Sequence, residues 1–238
     1  MPPAESGSDR TVRRVAVLTP EYWPRPHILA PALAADEVLL LDSFQYSRQS
    51  YQNRARLRKP DGWHWISVPL EARQHGRPIS EVRISRSSEW RGAHCRSLQH
   101  DYGTAPFFAH YSGEIFDLIR GPWSTLGDLT CATVEWTLRA IDCHAPISRT
   151  SSLDPAPRSA AELASALGGV EVVCADDAAE RLMQVFKRLV PAPYREAERY
   201  QNFGGFEPGM SALDLLFNHG PEARALVERD ASFPPDFR

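Results

Sequence analysis

Residues 42–58 read DSFQYSRQSYQNRARLR, and the stretch follows directly on the apolar run EVLLL. It sets one carboxylate, Asp42, among four amides (Gln45, Gln49, Gln52, Asn53), two tyrosines (Tyr46, Tyr51) and four arginines (Arg48, Arg54, Arg56, Arg58). Amides donate and accept in one plane, and a guanidinium clamps a carboxylate or phosphate through two parallel bonds. Gln52-Asn53-Arg54 therefore reads as a unit that grips an anionic or carbonyl group. Asp42, at the end of the apolar run, either orients an amine or a base, or caps its own loop by accepting backbone N–H bonds. Gln45, Tyr46 and Arg56 join the substrate contacts, the tyrosine through its stacking face. Arg48 and Arg58 read as a solvated face.

A second centre is Trp90 with His94, four residues apart and so neighbours on one helical face. Imidazole titrates near neutral pH, which makes His94 the general-base candidate. Cys95 points about 100° away around the same helix, so the two do not form a nucleophile pair. TPEYWPRPH (19–27) supplies two further contacts, Tyr22 and His27, and Asn218 near the end of a late helix supplies another. Asp214 is read as the third position of a capping box opened by Ser211.

The elements follow from periodicity. Val15–Leu18 and Glu37–Asp42 read as strands covered on both faces, joined by a proline-stiffened loop and a short helix over 27–35. Strand, loop, helix, strand is the opening of a parallel α/β unit. Trp63–Leu70 and Glu81–Ser85 read as an inserted hairpin turning at HGRP (75–78). Three helices follow, over 89–101, 106–119 and 126–141. A strand over 145–149 and another over 170–174 come next, with a helix between them capped by Ser159-x-x-Glu162. Asp177-x-x-Glu180 is read as the cap of a helix carrying Leu182, Val185, Phe186, Leu189 and Val190 on one face. Residues 191–209 form a long irregular segment, read as a lid hinged at Gly204-Gly205 or as a static wrap. The expected fold is α/β, Rossmann-like and mostly parallel, with a hairpin and a helical insertion near 88–142. One domain spans 13–228, between a disordered lead (1–12) and a frayed tail (229–238).

Bulk properties narrow the function. The chain has 238 residues, 42% of them hydrophobic and 24% charged, with a net charge of −3. That balance offers no basic field for nucleic acid. No apolar run approaches the roughly 20 residues that span a bilayer, and the N-terminus lacks the apolar core of a signal peptide. The expected location is cytoplasmic. The four cysteines carry no zinc spacing and read as buried reduced thiols. No metal site and no particular cofactor are indicated, and the oligomeric state is open.

Several stretches, in order, resemble the WbqC-like family, named for a protein of lipopolysaccharide O-antigen gene clusters. They are TPEYWP (19–24), DSFQYSRQSYQNR (42–54), GWHWISVP (62–69), WRGAH (90–94), YGTAPFF (102–108), ISRTSSL (147–153) and SALDLLFNHG (211–220). Thr19, Arg25, His27 and Ser43 stand where the family pattern carries Gln, Trp, Gly and Asp. The resemblance implies a place in surface-sugar or natural-product pathways. The opening also resembles nucleotidylyltransferase-type folds, in which a Pro/His-rich loop after the first strand binds phosphate.

Together these features predict a transferase acting on a small polar substrate: an amino sugar, nucleotide sugar or amino-acid derivative. The expected reaction is acyl or aminoacyl transfer to an amine, with Arg54 holding the anionic or carbonyl group, His94 taking the proton and Asp42 orienting it. Nucleotidyl transfer and a non-catalytic binding or assembly role are the alternatives. The assembly role predicts a large exposed apolar patch.

Overall fold

The computed structural model of the chain describes residues 12–87 and 89–233. In chain order its strands are β1 (Arg14–Leu18), β2 (Glu37–Leu40), β3 (Arg54–Lys59), β4 (Gly62–Ser67), β5 (Ile147–Arg149), β6 (Glu171–Ala175) and β7 (Leu189–Ala192). The helices are α1 (Pro26–Leu29), α2 (Glu89–Tyr102), α3 (Phe108–Arg120), α4 (Leu126–Ala140), α5 (Ala160–Leu167), α6 (Asp176–Met183), α7 (Ala212–His219) and α8 (Ala223–Asp230).

Five strands form one parallel sheet in the order β5-β2-β1-β6-β7. Side chains alternate across a strand, so each apolar run feeds two cores. Val15, Val17, Leu39 and Val172 pack with Leu163 of α5 and with Ala179 and Leu182 of α6. Ala16, Leu18, Val38 and Leu40 enter the larger core, with Leu98, Ile115, Leu129, Val134 and Phe217 of α2, α3, α4 and α7. The sheet is thus covered on both faces, as the expected Rossmann-like α/β class requires. The helical insertion is α2, α3 and α4, close to the boundaries that periodicity sets. Ser159 caps α5 as expected, its hydroxyl accepting from the Glu162 N–H at 3.3 Å.

Three elements depart from the sequence reading. The hairpin is β3 with β4, antiparallel from Arg54↔Ser67 to Lys59↔Gly62. The stretch near residue 70 pairs only briefly with residue 84, through one bridge and two flanking backbone bonds. Ala55 and Leu57 are buried between arginines, so 54–59 carries a period-two pattern that its charge conceals. Helix α6 begins two residues earlier than expected, after Ala175, without a side-chain cap, and it ends at Met183. Leu189 and Val190 belong to the edge strand β7, not to that helix.

The tail expected to fray from 229 is ordered through 233. Asp230 ends α8, and Ala231 is buried and bridged to Tyr194. Residues 234–238, and all of the expected lead except Val12, lie outside the described residues. Residues 193–210 are a wrap rather than a hinged flap. Gln201 Nε2 donates to Asp214 at 2.8 Å and Asn202 Nδ2 to the Asp101 carbonyl at 2.5 Å. The Arg58 guanidinium donates to Gln201 at 3.1 Å and to the Gly204 carbonyl at 2.5 Å.

A candidate crevice at the carboxyl edge of the sheet

In an open parallel sheet, ligands settle beyond the carboxyl ends of the strands, where neighbouring connections leave in opposite directions. Here β1 lies between β2 and β6, and a crevice of about 590 Å³ opens at their carboxyl ends, lined by Thr19, Leu41 and Ala175. Its walls are the loop after β1, the 44–52 stretch, and the first turns of α5 and α6.

Arg25 is the central cation. Its guanidinium donates to both carboxylate oxygens of Glu21, at 2.5 and 3.1 Å, and reaches Asp177 at 3.5 Å. It also lies over the Tyr51 ring, 3.7 Å from its centroid. His27 Nε2 stands 3.4 Å from the same Asp177 oxygen. The His27 hydrogen bond holds the Asp177 carboxyl below its ordinary value; burial opposes this, and the charges of His27 and Arg25 assist it. Asp177 is nevertheless 53% exposed, while Glu21 is buried. Beyond Arg25 and Asp177 a smaller cavity of about 250 Å³ is lined by His27, Asp176, Tyr194 and Glu196.

The sequence-expected residues divide among four places. Gln45 and Gln52 line the crevice, and the Gln52 side-chain oxygen accepts from the Ser47 N–H at 2.8 Å. His27 lines the smaller cavity beside it. Tyr46, Asn53 and Arg54 line a different cavity, on the opposite side of the 45–54 stretch. Arg54 lies 4.2 Å over the Trp65 ring and its Nε donates to the Ser50 carbonyl at 3.1 Å. Asn53 donates to the Val68 carbonyl at 3.1 Å, and Arg56 stacks on Trp63 at 3.8 Å.

The others are enclosed. Tyr22, Trp90 and His94 form a buried cluster, with Tyr22 Oη 2.9 Å from His94 Nδ1 and the Trp90 and His94 rings 5.1 Å apart. His94 is lowered from 6.5 to about 4, first by burial, against a hydrogen bond with the Ser67 backbone. Asp42 accepts from the Ser151 N–H and hydroxyl at 2.8 and 2.6 Å and from the Thr150 hydroxyl at 3.2 Å. It therefore ties the turn after β5 to the end of β2, a long-range role distinct from the expected capping of its own loop. Asn218 donates back to the Asp214 carbonyl at 2.8 Å inside α7. His94, Asp42 and Arg54 thus do not meet around one pocket.

Two expectations outside the site also change. Arg58 is 2% exposed, not solvated. Asp214 caps nothing; Ser211 accepts from the Leu213 N–H instead. Asp214 is fully buried, accepts from Tyr102 Oη at 3.2 Å and from Gln201, and is raised from 3.8 to about 6 by burial, against those two bonds.

The crevice residues that sequence reasoning missed are Glu21, Arg25 and Asp177. A signal existed for Arg25: with His27, it is one of the positions where this chain leaves the family pattern, and both side chains converge on Asp177. Nothing local marked Asp177, because an acid at a helix start looks like a cap.

A doubly covered parallel sheet with a ligand-sized crevice at its switch point defines a Rossmann-like α/β protein. Within that class the chain belongs to the WbqC-like protein family, whose sequence model matches residues 19–226. It is similar to the uncharacterized protein Rv1507c of Mycobacterium tuberculosis, with 27% identity over 236 residues, 89% of this chain and 96% of that protein. No solved structure matches it. Among the described residues, no helix is long and apolar enough to cross a membrane.

Proposed function

We propose that the protein is a group-transfer enzyme that acylates or aminoacylates an amine, such as that of an amino sugar, in the crevice at the ends of β1, β2 and β6. One observation carries this reading: the half-exposed Asp177 carboxylate, hydrogen-bonded by His27 and set beside Arg25. A carboxylate that stays ionised and open to solvent draws in an ammonium group, and an adjoining imidazole suits the proton that the ammonium loses before attack. The bound ammonium first gives one proton to the His27 imidazole, which frees the nitrogen lone pair. The nitrogen–carbonyl bond then forms as the bond from the carbonyl to the leaving group breaks, and the second nitrogen proton departs with the leaving group. Arg158 and Arg181, exposed on the crevice wall, suit the anionic part of the donor. Gln45 and Gln49 suit planar polar groups. The proton role expected for His94 passes to His27 in this reading, because the imidazole at 94 is enclosed away from the crevice and kept neutral.

The test is a thermal-shift screen with amino sugars, amino acids, nucleotide sugars and nucleotides. An amine-bearing ligand raises the melting temperature by mass action, and Asp177→Asn abolishes that shift. With an acyl donor present, mass spectrometry then detects an acylated product that His27→Gln does not form. A hydroxyl analogue that stabilises as well as the amine, or a full shift in Asp177→Asn, defeats the reading.

The sheet order favours one second reading, nucleotidyl transfer, since doubly wound sheets of this order bind nucleotides at the same edge. It predicts magnesium-dependent binding of a nucleoside triphosphate by calorimetry, and no heat removes it. Among the described residues the exposed large apolar side chains are Val12, Trp63, Met183 and Tyr200, which come from four separate segments of the chain and lend an assembly role no support of their own.

A further inference from the structure

The 45–54 stretch is a partition. Gln45, Ser47 and Gln49 face the crevice, whereas Tyr46 and Arg48 between them, and Asn53 and Arg54 beyond, line a second cavity of about 550 Å³. The far wall of that cavity is the 67–75 loop. Three guanidiniums, those of Arg48, Arg54 and Arg73, and the His75 imidazole line it against a single carboxylate, Glu71. Among the described residues none of these three arginines has a carboxylate within ion-pair distance, although most arginines of the chain that line the crevice do. With His75 neutral, the lining carries two positive charges in excess.

Arg54 is already ordered for use. Its face rests on the Trp65 indole and its Nε is committed to the Ser50 carbonyl, which leaves the terminal N–H groups unspent. A guanidinium held this way loses little freedom on binding, and its fork matches the oxygens of a phosphate. Arg73 is a non-glycine residue in the left-handed region, with φ of 60°. Such strain gathers where the surrounding structure fixes a side chain for a purpose.

We propose that this cavity is an anion site for a phosphate group, separate from the crevice and divided from it by the 45–54 stretch. The charge excess fits a phosphate monoester, which carries about −1.5 to −2 at neutral pH. Inorganic phosphate presents the same chemistry, so the two sources are distinguished by experiment. The inference does not rest on the transferase reading.

The test is calorimetric titration of the full chain with inorganic phosphate and with glycerol 3-phosphate at low ionic strength. Either or both bind, and whichever binds more tightly identifies the source. The double variant Arg48→Gln/Arg73→Gln alters two exposed side chains and weakens that binding by about tenfold or more. The double variant Arg120→Gln/Arg195→Gln removes the same charge elsewhere on the surface and leaves binding unchanged. Absence of heat with both ligands overturns the proposal, as does equal weakening in the two double variants. A single-stranded oligonucleotide that binds more tightly than both phosphates also overturns it, and reassigns the surface to a nucleic-acid backbone.

Discussion

An imidazole enclosed by two aromatic rings is costly to charge. His94 meets that condition beside Tyr22 and Trp90, and burial takes it from 6.5 down to about 4. Because the folded value lies below the unfolded one, the stability it contributes is present above about pH 6.5 and is lost as pH falls through about 4. Relative to His94→Gln, which does not titrate, the wild type loses on the order of 3 kcal/mol between about pH 7 and about pH 4. Urea unfolding of both proteins across that range checks this; parallel pH profiles would show that residue 94 stays neutral for another reason. The sequence placed Trp90 and His94 correctly on one helical face. It could not say whether that face looked into a cleft or into the core, because spacing within a helix carries no information about what packs against it.

Among the elements, α4 is seated unusually close to the chain beneath it. A Cβ at Gly127 would lie 2.6 Å from Ser80 Cα and 2.9 Å from Ser80 N. Alanine is the better helix former by about 1 kcal/mol, so propensity alone makes Gly127→Ala stabilising. The contact is with backbone rather than with a yielding side chain, and the packing cost wins. Gly127→Ala is expected to lower stability by about 1–3 kcal/mol, read from the denaturation midpoint; a gain would mean that α4 slides off residues 79–80 freely. The β3–β4 hairpin holds the opposite lesson. Its strand β3 is hidden in the sequence because its arginines look like loop chemistry, yet Arg54, Arg56 and Arg58 occupy the face opposite Ala55 and Leu57.

For the whole molecule, the insertion and the sheet share one core. Ala16 and Leu18 of β1 belong to the same buried cluster as Leu98, Ile115, Val134 and Phe217 of the helical layer. A layer that cannot lose its neighbour without exposing its own apolar face melts with it. Thermal unfolding is expected to give coincident curves by far-ultraviolet circular dichroism and by tryptophan fluorescence, since Trp23, Trp90 and Trp136 are all buried in that cluster. A separate, earlier fluorescence transition would divide the chain into two domains.

By itself the sequence determined the parallel α/β class, the order of most elements, the helical insertion and the family, because alternation, capping and ordered motifs are local signals written along the chain. It also marked the 45–54 stretch as unusually rich in amide, phenol and guanidinium side chains. Only the tertiary structure decided how that chemistry is distributed. Alternate side chains of one segment face two cavities, Asp42 turns inward to Ser151, and Asp177, some 150 residues from Arg25 in the chain, closes on it to complete the crevice. Such convergence depends on where strands end in a packed sheet, and no spacing within the chain encodes that position.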